Sequence, residues 1–333
     1  TIMARLRGDD DEELMSKTGC DPTAGTGTLV IALAHQIGTD RCTIYTQDQS
    51  QKSTTMLRLN LILNNLVHSL PNVIQGDSLT NWGHLKDGEM KEMFDYVVSN
   101  PPFNVDFSEI VTNNAFLNTE RFFAGVPAVP SKKKDSMAIY LCFLQHILYI
   151  LKKKGKAAVV VPTGFLTAST GIAQKIKQRI IDEGWLRGVV SMPSNIFANT
   201  GTNVSVVFID KGNTSGDAIL IDASKLGEKI KIDGNQKTQL RDFEIEQIIS
   251  TFKKKEEKDD FSKLVSFEDI KKKKYSLSAG QYFDIKIEYV DITEEEFNSR
   301  MAKHQENLRK MFDESHDLES DIMEQLKKLK FNE

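Results

Sequence analysis

The chain has 333 residues, of which 40% are hydrophobic, so it is long enough to bury a large core. Its 43 Lys and Arg residues stand against 47 Asp and Glu residues, and the formal net charge of −4 does not indicate a nucleic-acid partner. The three cysteines form no CxxC pair and no metal pattern, which argues against a disulfide framework and a metal site. No apolar run approaches the roughly 20 residues that span a bilayer, and no signal peptide is evident. We therefore expect a soluble, cytoplasmic protein with no membrane contact.

Strand and helix patterns alternate from Asp21 to about Phe208. Short runs rich in β-branched and apolar residues predict strands at 42–48, 72–77, 94–100, 156–162, 186–193 and 203–210. Apolar residues at helical spacing predict helices at 29–37, 51–66, 137–151 and 171–184. Strands separated by helices imply right-handed crossovers, so the sequence predicts an α/β fold with a doubly wound, mostly parallel sheet.

Two of these helices carry more detailed predictions. In the helix at 51–66, one stripe is predicted to face the core, and it consists of Met56, Leu59, Ile62, Leu63 and Leu66. The strongly apolar helix at 137–151 is predicted to end in the basic residues and glycine of 152–155.

The character of the chain changes from about Ala218. Residues 218–224 predict one last short strand, and a Lys- and Glu-rich stretch with turns follows. Residues 293–331 predict a long polar helix with apolar residues at steps of three, four and seven, namely Leu308, Met311, Leu318, Ile322, Leu326 and Leu329. So narrow an apolar seam packs against another helix. We expect that helix to belong to a partner, because little local core is available.

A glycine loop opens the α/β region in the stretch DPTAGTGTLVIALAHQIG at 21–38. Gly25 and Gly27 precede a helix, where glycine lets the backbone approach a ligand closely. The loop lacks the lysine of a P-loop and the third glycine of a dinucleotide fingerprint. Asp48 and Asp77 end the next two strands. Any one of the three aspartates, including Asp21, could be a helix cap, but together they indicate a ligand crevice at the carboxyl edge of the sheet.

The acids suit a nucleoside-like ligand that has hydroxyls and an amine but no phosphate anchor. Asp48 could accept hydrogen bonds from ribose hydroxyls, and Asp77 with Ser78 could reach an adenine amino group. Asp21 could face a cationic ammonium or sulfonium. S-adenosylmethionine meets all three demands.

The stretch SNPPFN at 99–104 ends the strand predicted at 94–100. The amide of Asn100 offers an acceptor oxygen, and Pro101 lacks an N–H but keeps its carbonyl. Two acceptors would hold the hydrogens of a substrate amine and turn its lone pair toward an electrophilic methyl group, while Phe103 offers a face for a base. The stretch therefore predicts methyl transfer to an exocyclic amine through orientation and proximity. In duplex DNA the nucleotide would have to be flipped out.

The motifs DPTAGTG and SNPPFN together resemble the N6-adenine DNA methyltransferases. Further stretches run in the order and spacing of the modification subunit of Type I restriction-modification systems: IYTQDQS, MLRLNLILNN, SMAIYLCFLQHILYILKKKGKAAVVVPTGFL, GWLRGVVSMPSNIFANTGTNVSVVFIDK, AILIDASKL and YSLSAGQYFD. The resemblance covers about residues 19–284. The four residues NPPF at 100–103 are by themselves less specific than these longer stretches, because they also occur in methyltransferases that act on RNA guanine and on protein glutamine.

The resemblance implies a Rossmann-like, S-adenosylmethionine-dependent methyltransferase fold and assigns roles to residues of this sequence. The cofactor-binding residues would be Asp21, Pro22, Thr23, Gly25, Gly27, Asp48, Asp77 and Ser78. The family more often has glutamate where this sequence has Asp48. The catalytic tetrad would be Asn100, Pro101, Pro102 and Phe103. Phe103 and Phe197 would stack on the target base, although Phe197 is equally well explained as a core residue.

The resemblance also implies partners and a domain organisation. The substrate would be double-stranded DNA, read by a separate specificity subunit that docks partly through the C-terminal helix at 293–333. A second copy of this subunit and a restriction subunit are further candidate partners. The methyltransferase domain would span 21–225, followed by a peripheral extension at 226–292. The segment 1–20 lacks the family's Gly-x-Phe/Tyr-x-Thr-Pro motif, so we interpret it as the remnant of a truncated or partly disordered helical domain.

Two alternatives remain open from the sequence. The same tetrad would serve an RNA or protein methyltransferase, and the chain would also fit a non-catalytic scaffold of the complex.

Overall fold

The computed structural model describes residues 16–328 apart from 86, 91, 113–119, 197–201, 233–234 and 285–292. Its strands are β1 Lys17–Asp21, β2 Cys42–Asp48, β3 Val73–Gln75, β4 Phe94–Ser99, β5 Leu151–Pro162, β6 Leu186–Ser191, β7 Val204–Asp210, β8 Asp217–Asp222, β9 Glu228–Ile232, β10 Asn235–Gln239 and β11 Ser262–Ser266. Its helices are α1 Thr28–Ile37, α2 Gln51–Leu63, α3 Ser108–Thr112, α4 Tyr140–Ile150, α5 Gly164–Thr167, α6 Gly171–Asp182, α7 Asp242–Lys254, α8 Phe267–Lys272 and α9 Glu294–Lys328.

Within the described residues, nine strands form one sheet in the order β11-β8-β6-β7-β5-β4-β1-β2-β3. Strands β1 to β5 pair in parallel, as do β6 and β8. Strand β7 runs antiparallel to β5 and β6, and β11 runs antiparallel to β8. The predicted doubly wound, mostly parallel sheet is confirmed. Because β1 to β4 are parallel, their carboxyl ends meet at one edge, which is where the predicted functional residues lie.

Helices cover both faces of this sheet, as a parallel sheet requires. Strand β5 shows how the two cores are separated, since Val159 and Val161 lie in one buried cluster and Val160 lies in the other. The first cluster takes its helical residues from α4, α5, α6 and α8, and the second from α1, α2 and α7. A third, smaller cluster lies beside the carboxyl edge and contains Leu79, Phe107, Phe122, Met137, Ile139, Cys142 and Phe143.

The predicted end of the apolar helix was right to within one residue, but the role predicted for residues 152–155 was wrong. Helix α4 stops at Ile150, and Leu151 already belongs to β5, where it pairs with Phe94. The register then shifts, so that Lys156 pairs with Tyr96 and the four intervening residues form an irregularity in the strand. The basic residues are therefore part of β5, and one of them, Lys152, donates to Asp95 at 2.8 Å.

The predicted core stripe of α2 was also wrong. The residues that face the core are Thr54, Leu57 and Leu61. The predicted stripe is exposed in the helix, with Met56, Leu59, Ile62 and Leu63 between 44% and 70% accessible, and only Leu66, beyond the helix end, is buried. Apolar residues occur on both sides of this helix, so periodicity alone did not fix which side is buried.

The region after β8 is more ordered than the sequence predicted. Residues 218–224 are not the last strand, because β11 extends the sheet and β9 pairs with β10 in a separate hairpin. Helix α7 packs Ile248 and Phe252 into the second core cluster. We missed these elements because lysine and glutamate dominate the stretch and mask its apolar face.

The chain divides into two compact units between Phe283 and Asp284. The second unit contains α9, a single helix of 35 residues, and this confirms the predicted long C-terminal helix. The seam residue Leu329 lies outside the described residues. Across the described ranges, no helix combines the length and apolarity needed to span a membrane.

Candidate active site

The loop after β1 is shaped by the buried side chain of Asp21. Its Oδ1 accepts a hydrogen bond from the backbone N–H of Thr23 at 3.0 Å and another from Thr23 Oγ1 at 3.3 Å. The pKa of Asp21 is raised to about 7, mainly by burial; the two hydrogen bonds from Thr23 act against this shift, and the charge of Asp48 adds a smaller part to it. Asp21 therefore fixes the backbone of this loop from a buried position.

Two glycines give this loop its form. Gly25 has φ +53° and donates its N–H to Asp48 Oδ2 at 2.9 Å. Gly27 has φ +89°, and a Cβ atom placed on it would lie 2.1 Å from Leu57 Cδ1. A side chain at Gly27 would meet both backbone strain and overlap with α2.

Two acids lie near the loop at the carboxyl edge of the sheet: Asp48 ends β2, and Asp77 lies two residues beyond the end of β3. Asp48 accepts hydrogen bonds from Gly25 N–H and, through Oδ1, from Ser50 N–H at 2.8 Å. Asp77 uses Oδ1 to accept from Leu79 N–H at 2.7 Å and from Thr80 N–H at 3.3 Å. Within the described residues, no hydrogen bond reaches Oδ2 of Asp77, so this oxygen is available to a ligand.

Ser78 connects the Asp77 turn to the first loop. Its hydroxyl is buried and donates to the carbonyl oxygen of Pro22 at 2.6 Å. The two loops therefore hold each other across the carboxyl edge of the sheet.

The asparagine-proline-proline-phenylalanine stretch leaves the end of β4 at the same edge. Asn100 and Pro102 are exposed, Pro101 is buried and Phe103 is half-buried. The Phe103 ring packs edge-on against Tyr140, with ring centroids 6.3 Å apart. The buried proline and the packed ring fix the backbone on either side of the exposed residues.

One cavity of about 500 Å³ brings many of the predicted residues together. The predicted residues that line it are Thr23, Asp48, Asp77, Ser78, Asn100 and Pro102. Those that do not line it are Asp21, Pro22, Gly25, Gly27, Pro101 and Phe103. Phe197 lies outside the described residues, so its predicted stacking role stays a prediction.

The cavity also has walls that sequence reasoning missed. Gln49 and Ser50 directly follow Asp48, so their position at the end of β2 could have identified them. An apolar wall consists of Val105, Phe107, Ile110, Ile139 and Phe143. Val105 and Phe107 precede α3, Ile110 lies in α3, Ile139 immediately precedes α4, and Phe143 lies in α4. Nothing in their spacing distinguishes them from ordinary core residues. A wall of apolar side chains opposite carboxylates fits a nucleoside, whose base is flat and whose ribose carries hydroxyls.

A second cavity of about 470 Å³ is also lined by Asn100. Its lining is mostly apolar and includes Val160, Met192, Ile196 and Val206. Asn100 is the residue that lines both cavities among the described residues. Asn100 therefore borders both the cavity that contains the carboxylates and a mostly apolar one.

A model of the family described as N-6 DNA Methylase matches residues 2–290. The chain belongs to the N-6 DNA methylase family. Its exposed Asn100, the adjoining prolines and the glycine loop lie within the matched region.

Individual relatives of this N-6 DNA methylase family member point to one kind of system. The chain is 27% identical over 317 residues to the Type I restriction enzyme MpnII methylase subunit of Mycoplasma pneumoniae, covering 93% of this chain and 55% of that protein. The crystal structure of the type I restriction-modification system methyltransferase subunit from Streptococcus thermophilus aligns with a TM-score of 0.70 and 26% identity, covering 85% of this chain and 57% of that one.

The fold is shared more widely. A Listeria monocytogenes protein described as a class I S-adenosylmethionine-dependent methyltransferase aligns with a TM-score of 0.50 and 15% identity, covering 76% of this chain and 67% of that one. At this identity the likeness concerns the fold alone. This N-6 DNA methylase chain spans about half the length of the Type I methylase subunits it matches.

Proposed function

We propose that the chain is the catalytic part of a site-specific DNA methyltransferase that transfers a methyl group from S-adenosylmethionine to the N6 amine of adenine. The observation that carries the proposal is the meeting of Asp48, Asp77 and Asn100 in one cavity at the carboxyl ends of β2, β3 and β4. Two carboxylates and an exposed amide at this edge match the needs of a nucleoside cofactor and a substrate amine.

The cavity offers a distinct contact to each part of the cofactor. We assign the ribose hydroxyls to Asp48 and the adenine amine to the free oxygen of Asp77, and the apolar wall of Phe107 and Phe143 takes the flat face of the base. When bound, S-adenosylmethionine supplies an electrophilic methyl group on a positively charged sulfur. The carboxylates that line the cavity make its potential favourable for a cation.

Asn100 performs the orienting step in this proposal. Its amide oxygen accepts an N–H of the target amine, which turns the nitrogen lone pair toward the cofactor side, and Pro101 contributes its carbonyl as a second acceptor. The adenine approaches from the apolar cavity that Asn100 also lines, after being flipped out of the duplex. Phe103 lines neither cavity, so its stacking on the base stays a prediction. The proton released from the amine passes to solvent, because Asn100 is exposed. Rate enhancement comes from proximity and orientation.

The proposed partners follow from the same reading. Double-stranded DNA is the substrate, and a specificity subunit supplies the reading of sequence. We assign part of its docking surface to the apolar seam of α9, whose residues Leu308, Met311, Leu318, Ile322 and Leu326 are all more than half exposed. A second copy of this subunit and a restriction subunit complete the proposed complex.

The proposal is tested by supplying tritiated S-adenosylmethionine to the full-length protein assembled with its specificity partner. Label should appear in DNA, and digestion to nucleosides should recover it as N6-methyladenine. Label found only in RNA or only in protein would contradict the DNA proposal. Absence of cofactor binding by calorimetry would contradict the proposed enzyme and favour a scaffold.

A further inference from the structure

Arg121 bonds to the turn that follows Asp77, in the wall of the cavity of about 500 Å³, and is almost completely buried, with 7% of its surface exposed. It sits in a short 3-10 turn at Glu120–Phe122. Its Nη2 donates to the carbonyl oxygen of Ser78 at 2.9 Å, and its Nη1 donates to the carbonyl oxygen of Leu79 at 3.0 Å. The guanidinium group thus holds two successive carbonyl groups of one turn.

The two carbonyls belong to the turn that carries Asp77. Asp77 itself is tied to the same turn, because its Oδ1 accepts from the N–H of Leu79. The Ser78 hydroxyl continues the connection to Pro22 in the loop after β1. A fork of two donors fixes both the position and the plane of this backbone, which a single-point cation cannot do.

The contacts of Arg121 with the described residues do not include an ion pair. No carboxylate forms a salt bridge with it within the described residues, and its Nε has no hydrogen-bond partner there. Burial lowers its pKa to about 10, although the nearby charge of Asp77 acts in the opposite direction. Burying a cation costs free energy of desolvation, and hydrogen bonds to carbonyl oxygens do not neutralise its charge. We therefore look for the effect of Arg121 in the backbone that it holds.

We infer that Arg121 is a positioning residue for recognition of the cofactor's adenine: it holds the Asp77 turn so that the free carboxylate oxygen meets the 6-amino group. The inference rests on the proposed function, because it assigns the Asp77 contact to a bound S-adenosylmethionine. It adds a residue that touches neither cofactor nor substrate and that lies well outside the glycine loop and the tetrad.

The test compares two ligands that differ at the recognised group. S-adenosylhomocysteine carries the 6-amino group, and S-inosylhomocysteine has an oxygen in its place. Calorimetry should give the wild-type protein a preference of about tenfold or more for the amino ligand, because the analogue leaves a carboxylate oxygen unpaired. In Arg121→Met, affinity for S-adenosylhomocysteine should fall about tenfold, and the preference should shrink to less than about threefold.

Lys177→Met is the matched control. Lys177 is also a fully buried cation bonded to a carbonyl, that of Leu166 at 2.9 Å, and it lines neither cavity. Its variant should be destabilised yet keep the wild-type preference between the two ligands. If it loses the preference as Arg121→Met does, the effect is general loosening and the inference is overturned.

Arg121→Lys covers the case in which Arg121→Met does not fold. It keeps the charge and loses the fork, so the preference should again shrink. A folded Arg121 variant with the wild-type preference would overturn the inference. A wild-type protein that binds neither ligand would instead contradict the proposed function, so the two failures are distinguishable.

Discussion

Thr23 Oγ1 and Ser99 Oγ lie 2.7 Å apart, which joins the loop after β1 to the residue immediately before Asn100. Thr23 lines the cavity that contains Asp48 and Asp77, and its hydroxyl also contacts Asp21. Ser99 is fully buried at the end of β4. The bond therefore links the proposed cofactor side of the site to the proposed catalytic amide.

Removal of this link by Ser99→Ala should affect turnover more than cofactor binding. Thr23 keeps its bond to Asp21, but Asn100 loses a support next to it, and small misplacements are costly in orientation-driven catalysis. We expect methyl transfer to fall about tenfold while the dissociation constant for S-adenosylhomocysteine changes less than about threefold. The control is Ser205→Ala, since Ser205 and Thr163 form a similar pair at 3.1 Å that lines neither cavity. Equal effects of the two variants on turnover would contradict a role for the link.

Gly27→Ala should destabilise the fold strongly. The new Cβ would overlap Leu57, and φ +89° would be strained for any side chain. Gly171→Ala is the control, because φ there is +70° and nothing lies within 4 Å of a new Cβ. Urea unfolding should show a loss at Gly27 that exceeds the loss at Gly171 by about 1–3 kcal/mol, the usual cost of overpacking. Equal losses would mean that backbone strain alone sets the requirement for glycine.

Asp21 should make stability depend on pH. Its pKa rises from 3.8 to about 7 on folding, so the folded state binds a proton that the unfolded state lacks between these values. Its contribution to the free energy of unfolding therefore falls as pH rises from about 4 to 7, by at most about 1.4 kcal/mol per pH unit. Asp21→Asn keeps an oxygen acceptor for Thr23 and cannot ionise. In urea titrations at pH 5, 6, 7 and 8, this variant should lose less stability with rising pH than the wild type does, and parallel curves would refute the assignment.

The C-terminal helix should be needed for assembly and dispensable for folding of the first unit. Leu318→Asp with Ile322→Asp places two charges in the proposed seam of α9, and should abolish co-purification with the specificity partner. Ser320→Asp, on the other side of the helix, should leave assembly intact. Circular dichroism should show both variants folded. Normal assembly of the seam variant would mean that the partner docks elsewhere.

Local signals predicted much of the fold and part of the site. The strand predicted at 42–48 matches β2, because its β-branched residues and its terminal aspartate are adjacent in the chain. Asp48, Asp77 and Asn100 meet in one cavity because each lies at or within two residues of the carboxyl end of a parallel strand, and that topology follows from the alternation of strands and helices.

The remaining features depend on packing between distant segments. The core face of α2 was misassigned because the helix has apolar residues on two sides. The buried side contains Leu57, which packs against Gly27. The apolar wall combines Phe107 and Phe143, which only the folded chain brings together. No sequence motif surrounds Arg121, and Ser78, whose carbonyl oxygen it binds, lies 43 residues earlier in the chain.

The most direct test of the proposed function is methyl transfer to target DNA by Asn100→Ala in the full-length protein assembled with its specificity partner. The variant removes the side-chain amide of the residue that lines both cavities and leaves Asp48 and Asp77 in place. We expect formation of N6-methyladenine from tritiated S-adenosylmethionine to fall by at least about a hundredfold, while S-adenosylhomocysteine still binds. Methylation at the wild-type rate would contradict the assignment of Asn100 and, with it, the proposed mechanism.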